Sequence, residues 1–373
     1  MMAVTLLLII LLGWICLPFL PGIIEIWKKT DASPLKVIQE YDVDVHYFAN
    51  VFRNYVEQHF PGLPGKTQDV HQGEPRGMQK REGQLEDGTQ YYVLSQQDAI
   101  PLQLSEKDSQ VTHTMLVSLD SMKLPGAMSY LTELYASDSI HGGKEDIYRA
   151  LLAEKDIEIE ENSMLLRWMH AGKSINVKPG SVLHGRVSAD QSIHLTGNCR
   201  YERLYAPTIR FGSHMPRHKQ EHELKELAPE DIGPRVEVAG GRWLIEDDVE
   251  IPDNSLVNSN LVVVGQLKIG RSCHINGSVK SRHELDVGQD TVITGSLVSN
   301  NSIHCGEHCE IAGPVISEKT IYLDSHSIIG TTEKPTTVSA EEIHIKTNTV
   351  AHGSVWARQK GTIEEAEGGQ ETL

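Results

Sequence analysis

Hydrophobic residues recur at a fixed interval of 18 positions through much of the second half of the chain. The stretches LKIGRSCHINGSVKSRHE, LDVGQDTVITGSLVSNNS and IHCGEHCEIAGPVISEKT follow one another directly, with apolar residues in matching places. A fixed period of this kind is typical of repeat architectures, in which each unit buries the hydrophobic face of the next. The sequence therefore predicts stacked, equivalent structural units.

Three columns of residues define the predicted interior. Two of them are two positions apart, as Leu267 and Ile269 are, so each such pair predicts a short strand with alternate side chains turned inward. The columns are Val249, Leu267, Leu285, Ile303 and Ile321; Ile251, Ile269, Val287, Cys305 and Leu323; and Val257, Ile275, Ile293, Ile311 and Ile329. Small and polar residues between the strands, including the glycines Gly277, Gly295 and Gly313, predict turns. The predicted fold is mainly β: a triangular β-solenoid with about 18 residues per coil.

The repeat pattern also predicts the domain boundaries. The solenoid is expected over residues 171–357, with residues 212–234 looping out of the stack, and residues 358–373 form an acidic tail expected to be disordered. Residues 89–170 predict a small α/β domain, in which GAMSYLTELYAS and KEDIYRALLAEK have the composition of helices. Residues 28–88 predict an amphipathic helix over 44–60, ended by Pro61 and Gly62, and then a polar linker.

The first 27 residues predict a transmembrane anchor. Met1–Ile24 contains no charged side chain, and a helix of that length spans roughly 30 Å of hydrocarbon. The alternatives are a cleaved signal peptide and a buried core helix, but the segment lacks a basic start and a small-residue cleavage site, and a core helix would carry polar residues on one face. Lys28, Lys29 and Lys36 follow the span, so the positive-inside rule predicts a single-pass protein of the inner membrane whose bulk faces the cytoplasm.

Charge and cysteine content limit the classes of partner. The formal net charge is −17, and no cluster of Lys and Arg is found in the sequence, which argues against nucleic acid as a partner. Aromatic residues make up only 6% of the chain, as expected for a solenoid filled with aliphatic residues. The five cysteines form no disulfide framework, and their odd number favours reduced thiols.

The matching stretches IGRSCHINGSV, VGQDTVITGSL and CGEHCEIAGPV resemble the bactofilins, the polymer-forming cytoskeletal proteins of bacteria. The resemblance covers residues 235–330 well and 173–211 loosely. It implies a β-solenoid that assembles end to end without a nucleotide, often at the membrane, and recruits cell-envelope enzymes. The resemblance thus implies a membrane-anchored scaffold that self-associates into an oligomer or filament, docks cell-envelope proteins, or does both. The additional domain and the loop at 212–234 depart from the family pattern. They argue against filament formation, because a folded cap at the first coil would block end-to-end stacking.

The alternative function is that of a hexapeptide-repeat acyltransferase acting on an envelope sugar precursor. Such enzymes also form triangular solenoids and use a histidine as general base. The candidate bases are His274, His304, His308, His326 and His344. The sequence places no Asn or acidic residue where it would orient one of them, and every third position of the six-residue phase is serine, as at Ser281 and Ser299. The sequence therefore predicts no catalytic residues.

Two groups of residues have the composition of a metal site. HCGEHC, His304 to Cys309, contains suitable ligands, but Cys305 falls in an interior column and strand alternation turns His304 to the opposite face. His214, His218 and His222 are four residues apart in a polar segment, where solvated histidines are the simpler interpretation. The sequence therefore predicts neither a metal nor a cofactor.

Overall fold

The computed structural model describes residues 44–60, 82–94, 110–212, 223–232 and 236–365. The predicted anchor, most of the linker, the three loop histidines and residues 366–373 of the predicted acidic tail lie outside these ranges. The prediction that the tail is disordered is wrong for residues 358–364, because they belong to the strand Thr349–Glu364 and the side chain of Ile363 is buried. Within the described ranges, no helix has both the length and the apolar character needed to cross a membrane. The fold is a β-solenoid of about 13 turns, in which paired strands lie about 18 residues apart.

The solenoid consists of two stacks of coils, which we call the first stack (82–212) and the second stack (242–365). The first stack contains β1 (Glu82–Gln84), β2 (Gln90–Leu94), β3 (Val111–Thr112), β4 (Met115–Ser118), β5 (Met122–Lys123), β6 (Ser129–Ala136), β7 (Ile140–His141), β8 (Ile147–Ala153), β9 (Ile157–Ile159), β10 (Met164–Ala171), β11 (Ser174–Val177), β12 (Val182–Ala189), β13 (Ser192–Leu195) and β14 (Arg200–Phe211). It is preceded by the helix α1 (Tyr47–His59).

Between the stacks lies a segment that we call the cap (223–239). It contains β15 (Lys225–Glu226), the short helix α2 (Pro229–Ile232) and β16 (Val236–Ala239). The second stack contains β17 (Arg242–Ile245), β18 (Val249–Ile251), β19 (Ser255–Val257), β20 (Asn260–Val263), β21 (Leu267–Ile269), β22 (His274–Ile275), β23 (Val279–Ser281), β24 (Leu285–Val287), β25 (Val292–Ile293), β26 (Leu297–Ser299), β27 (Ile303–Cys305), β28 (Glu310–Ile311), β29 (Val315–Ser317), β30 (Thr320–Leu323), β31 (Ile328–Ile329), β32 (Thr336–Lys346) and β33 (Thr349–Glu364).

Parallel pairing between successive coils places equivalent residues above one another. Leu267 pairs with Leu285 and Leu285 with Ile303, so one side chain of each coil stacks on the next. The interior is one continuous apolar cluster that runs through both stacks. Val249, in the first coil of the second stack, is only partly buried.

Two further columns show why particular residue types repeat. Asn254, Ser272, Asp290, His308 and His326 follow each other at 18-residue intervals and all have positive φ between 55° and 64°. Asn and Asp tolerate this left-handed conformation better than other residues that carry a Cβ. Gly277, Gly295 and Gly313 lie in bends but do not have positive φ. A Cβ on Gly295 would lie 2.5 Å from the carbonyl oxygen of Gly277, so these glycines permit close stacking of the coils.

The two stacks meet through their last coils. β14 and β33 pair antiparallel over three segments: Arg200 and Tyr201 lie opposite Thr362 and Gly361, Arg203–Ala206 opposite Gly353–Trp356, and Ile209–Phe211 opposite Thr349–Ala351. Every other pairing between coils is parallel within the described strands, apart from the hairpins β1–β2 and β16–β17. The last coil of each stack is therefore covered by the last coil of the other.

The cap covers the opposite end of the second stack. β15 pairs with β19, β16 pairs with β17, and α2 lies against β16 and β18, so each face of the first coil has a covering segment. Leu227 is buried there, and its backbone N–H donates to the carbonyl of Leu256 at 2.9 Å. The prediction that 212–234 loops out of the stack is wrong for residues 223–232, because the buried Leu227 and the backbone pairing of β15 hold this part on the coil.

The prediction of a small α/β domain at 89–170 is also wrong. The two segments predicted as helices form β6 and β8, which pair in parallel with each other and continue the solenoid. The solenoid therefore begins at least 60 residues before the predicted start at 171, since β3 begins at Val111. Met115 to Ser118 and Ala150 to Ala153 are buried at every position, which removes the alternation that identifies a strand with one buried face.

The helix α1 explains this continuous burial. Its Ala49, Phe52 and Val56 are buried against side chains on the outer face of the first stack, which together form a second apolar cluster. The outer residues are Tyr91, Met115, Val117, Tyr135, Ala150, Leu152 and Trp168. Full burial of one side chain such as Phe52 stabilises the docked helix by about 1.5–3 kcal/mol. The outer face is thus covered by a helix that the amphipathic pattern at 44–60 predicts.

Candidate docking groove at the junction of the stacks

The residues of HCGEHC do not converge on one point. Cys305 and Cys309 are fully buried, whereas His304 is exposed and lies near Asp324, with its Nε2 3.5 Å from Asp324 Oδ2. Cys309 Sγ donates to the carbonyl of Gly288 at 3.3 Å, as Thr291 Oγ1 one coil earlier donates to Gly270 at 3.1 Å. Cys309 thus fills the place of a buried hydroxyl residue. Cys305 lies in the interior column as predicted, with His304 on the opposite, exposed face of β27.

The expectation that no acidic residue would orient the candidate histidine bases is wrong. His308 Nδ1 lies 3.8 Å from Asp290 Oδ1, and His344 lies between Glu342 and Glu364, at 3.4 Å and 3.1 Å. Asp290 lies one 18-residue coil before His308, Glu342 lies two residues before His344 on β32, and Glu364 lies on the neighbouring β33. His308 and His326 also stack on each other at 4.8 Å, because they occupy the same left-handed corner in successive coils.

A groove of about 510 Å³ lies where α1, the first stack and the last coil of the second stack meet. Two aromatic and four arginine side chains are among its lining residues: Phe48, Trp356, Arg167, Arg186, Arg203 and Arg358. None of the candidate catalytic histidines lines it. Phe48 and Trp356 are 45% and 41% exposed, which is high for large apolar side chains of this solenoid.

The strand register brings the arginines of the groove together. Arg186 on β12 is the register partner of Arg203 on β14, and Arg203 is in turn the register partner of Trp356 on β33. The guanidinium carbon of Arg203 lies 4.0 Å from the ring centroid of Trp356, and that of Arg186 lies 5.4 Å from the ring of Phe48. Both contacts have the geometry of cation–π interactions, which hold the arginines against aromatic faces while leaving hydrogen-bond donors available.

The groove is positively charged on a strongly acidic protein. Burial lowers the pKa of Arg203, and the positive charge of Arg186 lowers it further, so the two guanidinium groups repel each other. Glu202 is the single carboxylate among the lining residues. Burial acts to raise the pKa of Glu202, but hydrogen bonds from His184 at 2.9 Å and from the Gly185 N–H at 2.8 Å outweigh it and hold that pKa low. The carboxylate is thus already engaged, and the site favours an anion.

The sequence carries a signal for this cluster that a search for basic runs does not detect. Arg167, Arg186 and Arg203 are separated by 19 and 17 residues, close to the length of one coil. Once the first stack is known to begin before residue 171, this spacing predicts a column of arginines on one face. The conclusion that the chain has no basic cluster therefore fails in three dimensions.

Comparisons of the chain with protein-family models, with curated proteins and with solved structures found no match.

Proposed function

We propose that this protein is a bactofilin-like structural scaffold, anchored in the inner membrane by residues 1–27, whose solenoid docks cell-envelope proteins on its cytoplasmic side. The arginine groove at the junction of the stacks is the observation that carries this proposal. Arg186 and Arg203 lie in register, repel each other and have the exposed aromatic rings of Phe48 and Trp356 beside them. A partner that brings carboxylates would remove this repulsion, so charge complementarity favours an acidic protein segment.

The solenoid suits a docking role because it holds the groove residues in fixed positions. Arg186, Arg203 and Trp356 are on three strands of one hydrogen-bonded sheet, and the interior beneath them is continuous. A preformed surface loses little conformational entropy on binding, which favours affinity. Arg and Trp are also the residues most often found at the energetic centres of protein interfaces.

Self-association is proposed to be pairwise rather than filamentous. The last coils of the two stacks pair with each other, and the cap covers the first coil of the second stack. In the described residues, β3 and β5 of the first stack each pair with one strand only. Contact between two copies through the end of the first stack that carries β3 and β5 is isologous and closes at a dimer. A filament needs two compatible ends on each copy.

An acyltransferase remains the second candidate because neighbouring coils supply carboxylates to candidate bases, as Asp324 does to His304. A base and its orienting carboxylate need an acyl-donor site beside them. Thermal denaturation of the full chain with and without acetyl-CoA separates the two functions. The scaffold proposal expects an unchanged melting temperature, and a saturable rise in melting temperature that is lost in His304→Gln would favour the enzyme.

The experiment that tests the scaffold proposal uses the full chain in mild detergent. A fluorescent peptide rich in Glu, with one aromatic residue, serves as the probe in an anisotropy titration. Arg203→Gln and Arg186→Gln are expected to weaken binding several-fold each, with less binding at high salt. Lys268→Gln is the matched control, since it removes the same charge from an exposed pair with Glu250 on the second stack. Equal affinity in all four proteins would contradict the proposal.

Electron microscopy of the same sample tests the assembly state. Discrete particles of one or two copies are expected, at concentrations well above those used for the titration. Long filaments would show that the covered coils do not block end-to-end assembly, and would favour a polymer over a docking scaffold.

A further inference from the structure

Two histidines and an aspartate from separate elements meet at the start of α1. His46 immediately precedes α1, His170 lies on β10, and Asp190 follows β12 one coil later. The potential ligand atoms of the three side chains all lie within 4.8 Å of one another. His46 Nε2 is 3.1 Å and His170 Nε2 is 3.9 Å from Asp190 Oδ1. Two imidazole nitrogens and a carboxylate oxygen are a common ligand set for zinc and related divalent metals.

The other nitrogen of each imidazole faces away from the cluster. His170 Nδ1 lies 2.9 Å from Ser188 Oγ, within hydrogen-bond distance, and His46 Nδ1 lies 3.8 Å from Asp44 Oδ1. Histidines that bind metals usually have one ring nitrogen hydrogen-bonded to an outer oxygen and the other facing the ion, as His170 does. In both residues Nε2 is the nitrogen that faces the cluster, so the two rings are oriented as a shared metal would require.

The present contacts leave a polar atom unsatisfied. His46 Nε2 is buried and makes no hydrogen bond to any described residue, although Asp190 lies close to it. His170 is almost completely buried as well. A buried nitrogen without a hydrogen bond carries a free-energy cost that a bound cation would remove.

We propose that His46, His170 and Asp190 form a binding site for one divalent transition-metal ion of the zinc class, which fastens α1 to the solenoid. The donor atoms of a tetrahedral zinc site with bonds of about 2.0–2.1 Å lie roughly 3.3–3.5 Å apart, so the separations of 3.1 Å and 3.9 Å need only a small adjustment. Asp190 is half exposed, so the fourth position is open to water.

The surroundings of the site are compatible with a cation. Arg53 is the nearest positive side chain of α1, and its Nε donates to Glu154 Oε1 at 2.8 Å, which neutralises it locally. The ring of Tyr205 lies edge-on to His46 at 6.0 Å and shields one side. The solenoid supplies two ligands and the start of α1 supplies the third, so metal binding is coupled to docking of the helix. None of the three ligands lines the arginine groove. Loss of metal binding and loss of peptide binding in the groove can therefore be distinguished from each other.

The test uses the full chain without a polyhistidine tag, stripped of metal by a chelator and titrated with Zn²⁺ by calorimetry. One equivalent is expected to bind, and Co²⁺ in its place is expected to give visible absorption typical of a nitrogen- and oxygen-ligated site. His46→Gln and Asp190→Asn each remove one partly exposed ligand and are expected to weaken binding at least about tenfold. His141→Gln is the control, because His141 is an exposed histidine that faces Glu158 on another part of the first stack.

Hydrogen exchange provides a readout that does not depend on a variant folding. Zn²⁺ is expected to slow exchange of the amides of Tyr47–His59 in the unmodified chain, because the metal ties the helix to the stack. The proposal is overturned if Zn²⁺ binds without slowing that exchange. It is also overturned if His46→Gln and Asp190→Asn bind Zn²⁺ as tightly as the unmodified chain and the His141→Gln control.

Discussion

Leu204 of β14 and Val355 of β33 lie directly opposite each other in an antiparallel pair. Within each stack, by contrast, the strands of successive coils pair in parallel. Both side chains are completely buried. The pair therefore joins the interiors of the two stacks through residues that are about 150 positions apart in sequence. The junction is therefore an intramolecular coil-to-coil contact, of the kind that two solenoid molecules form when they self-assemble.

A double-mutant cycle measures how strongly this contact couples the stacks. Leu204→Ala is expected to destabilise the protein by about 2–5 kcal/mol, because it leaves a cavity in a packed interior. Val355→Ala removes less volume and is expected to cost less. Since the two residues touch, their effects should depart from additivity by roughly 0.5–3 kcal/mol in denaturant unfolding. Leu204→Ala combined with Ile293→Ala is the control, because β25 is three strand pairings away from β33 and the two effects should add. Additive behaviour of the junction pair would mean that the two stacks fold independently.

The glycine column predicts a second effect. Gly295→Ala places a Cβ 2.5 Å from the carbonyl oxygen of Gly277 and from Ser278 Oγ, so the coils must separate. The expected loss is about 1–3 kcal/mol in the free energy of unfolding, as for other overpacked positions. Gly197→Ala is the control, since the atoms nearest to its Cβ would belong to the flexible side chain of Glu365, at 3.1 Å. Equal stability of the two variants would show that the coils stack less closely than in the structure.

The second stack was predictable because its burial alternates. Leu267 and Ile269 are buried while Lys268 between them is exposed, and the same pattern repeats in each coil. Short strands with one solvent-exposed face reveal both their period and their orientation in the sequence. The role of the glycine column was not predictable, since close approach and positive φ both select glycine.

The first stack was not recognised because α1 covers its outer face. Ala150 to Ala153 on β8 are all buried, two against the solenoid interior and two against the helix cluster. A strand with two buried faces has the same composition as a buried helix, and periodicity cannot separate them.

The three proposed metal ligands could not be predicted from the sequence for a related reason. His46 lies far from His170 and Asp190 in sequence, and only docking of α1 brings the three together.

A charge in the interior of the second stack should unfold it. Ile311 is almost fully buried, so Ile311→Asp places an unpaired carboxylate in an apolar column, and Ile293→Asp does the same one coil earlier. We expect loss of the cooperative unfolding transition in circular dichroism. Val298→Asp is the matched control, because Val298 lies on the outer side of β26 and pairs with Lys280. A folded Ile311→Asp protein would contradict the stacked interior.

The buried thiols should be almost unreactive in the folded protein. Cys199, Cys273, Cys305 and Cys309 are all buried, and burial raises the pKa of Cys199 to about 11 and that of Cys305 well above its ordinary value. Alkylation requires the thiolate, so labelling with iodoacetamide at pH 8 should be slow until a denaturant is added. A Cys16→Ser background removes the one cysteine outside the described residues. Rapid labelling without denaturant would mean that the coils open far more readily than this packing allows.

The raised pKa of Cys199 also predicts how stability depends on pH. Because the folded state holds the thiol proton more tightly than the unfolded state, the contribution is complete below the ordinary pKa of 9.0 and is lost as pH rises towards 11. Cys199→Ser should remove this part of the decline, since a serine does not titrate there. The replacement fits the site, because Ser181 one coil earlier donates to the same carbonyl, that of Lys178, as Cys199 does. If the stability of Cys199→Ser falls between pH 8 and pH 10 as steeply as that of the unmodified chain, the thiol is not the group responsible.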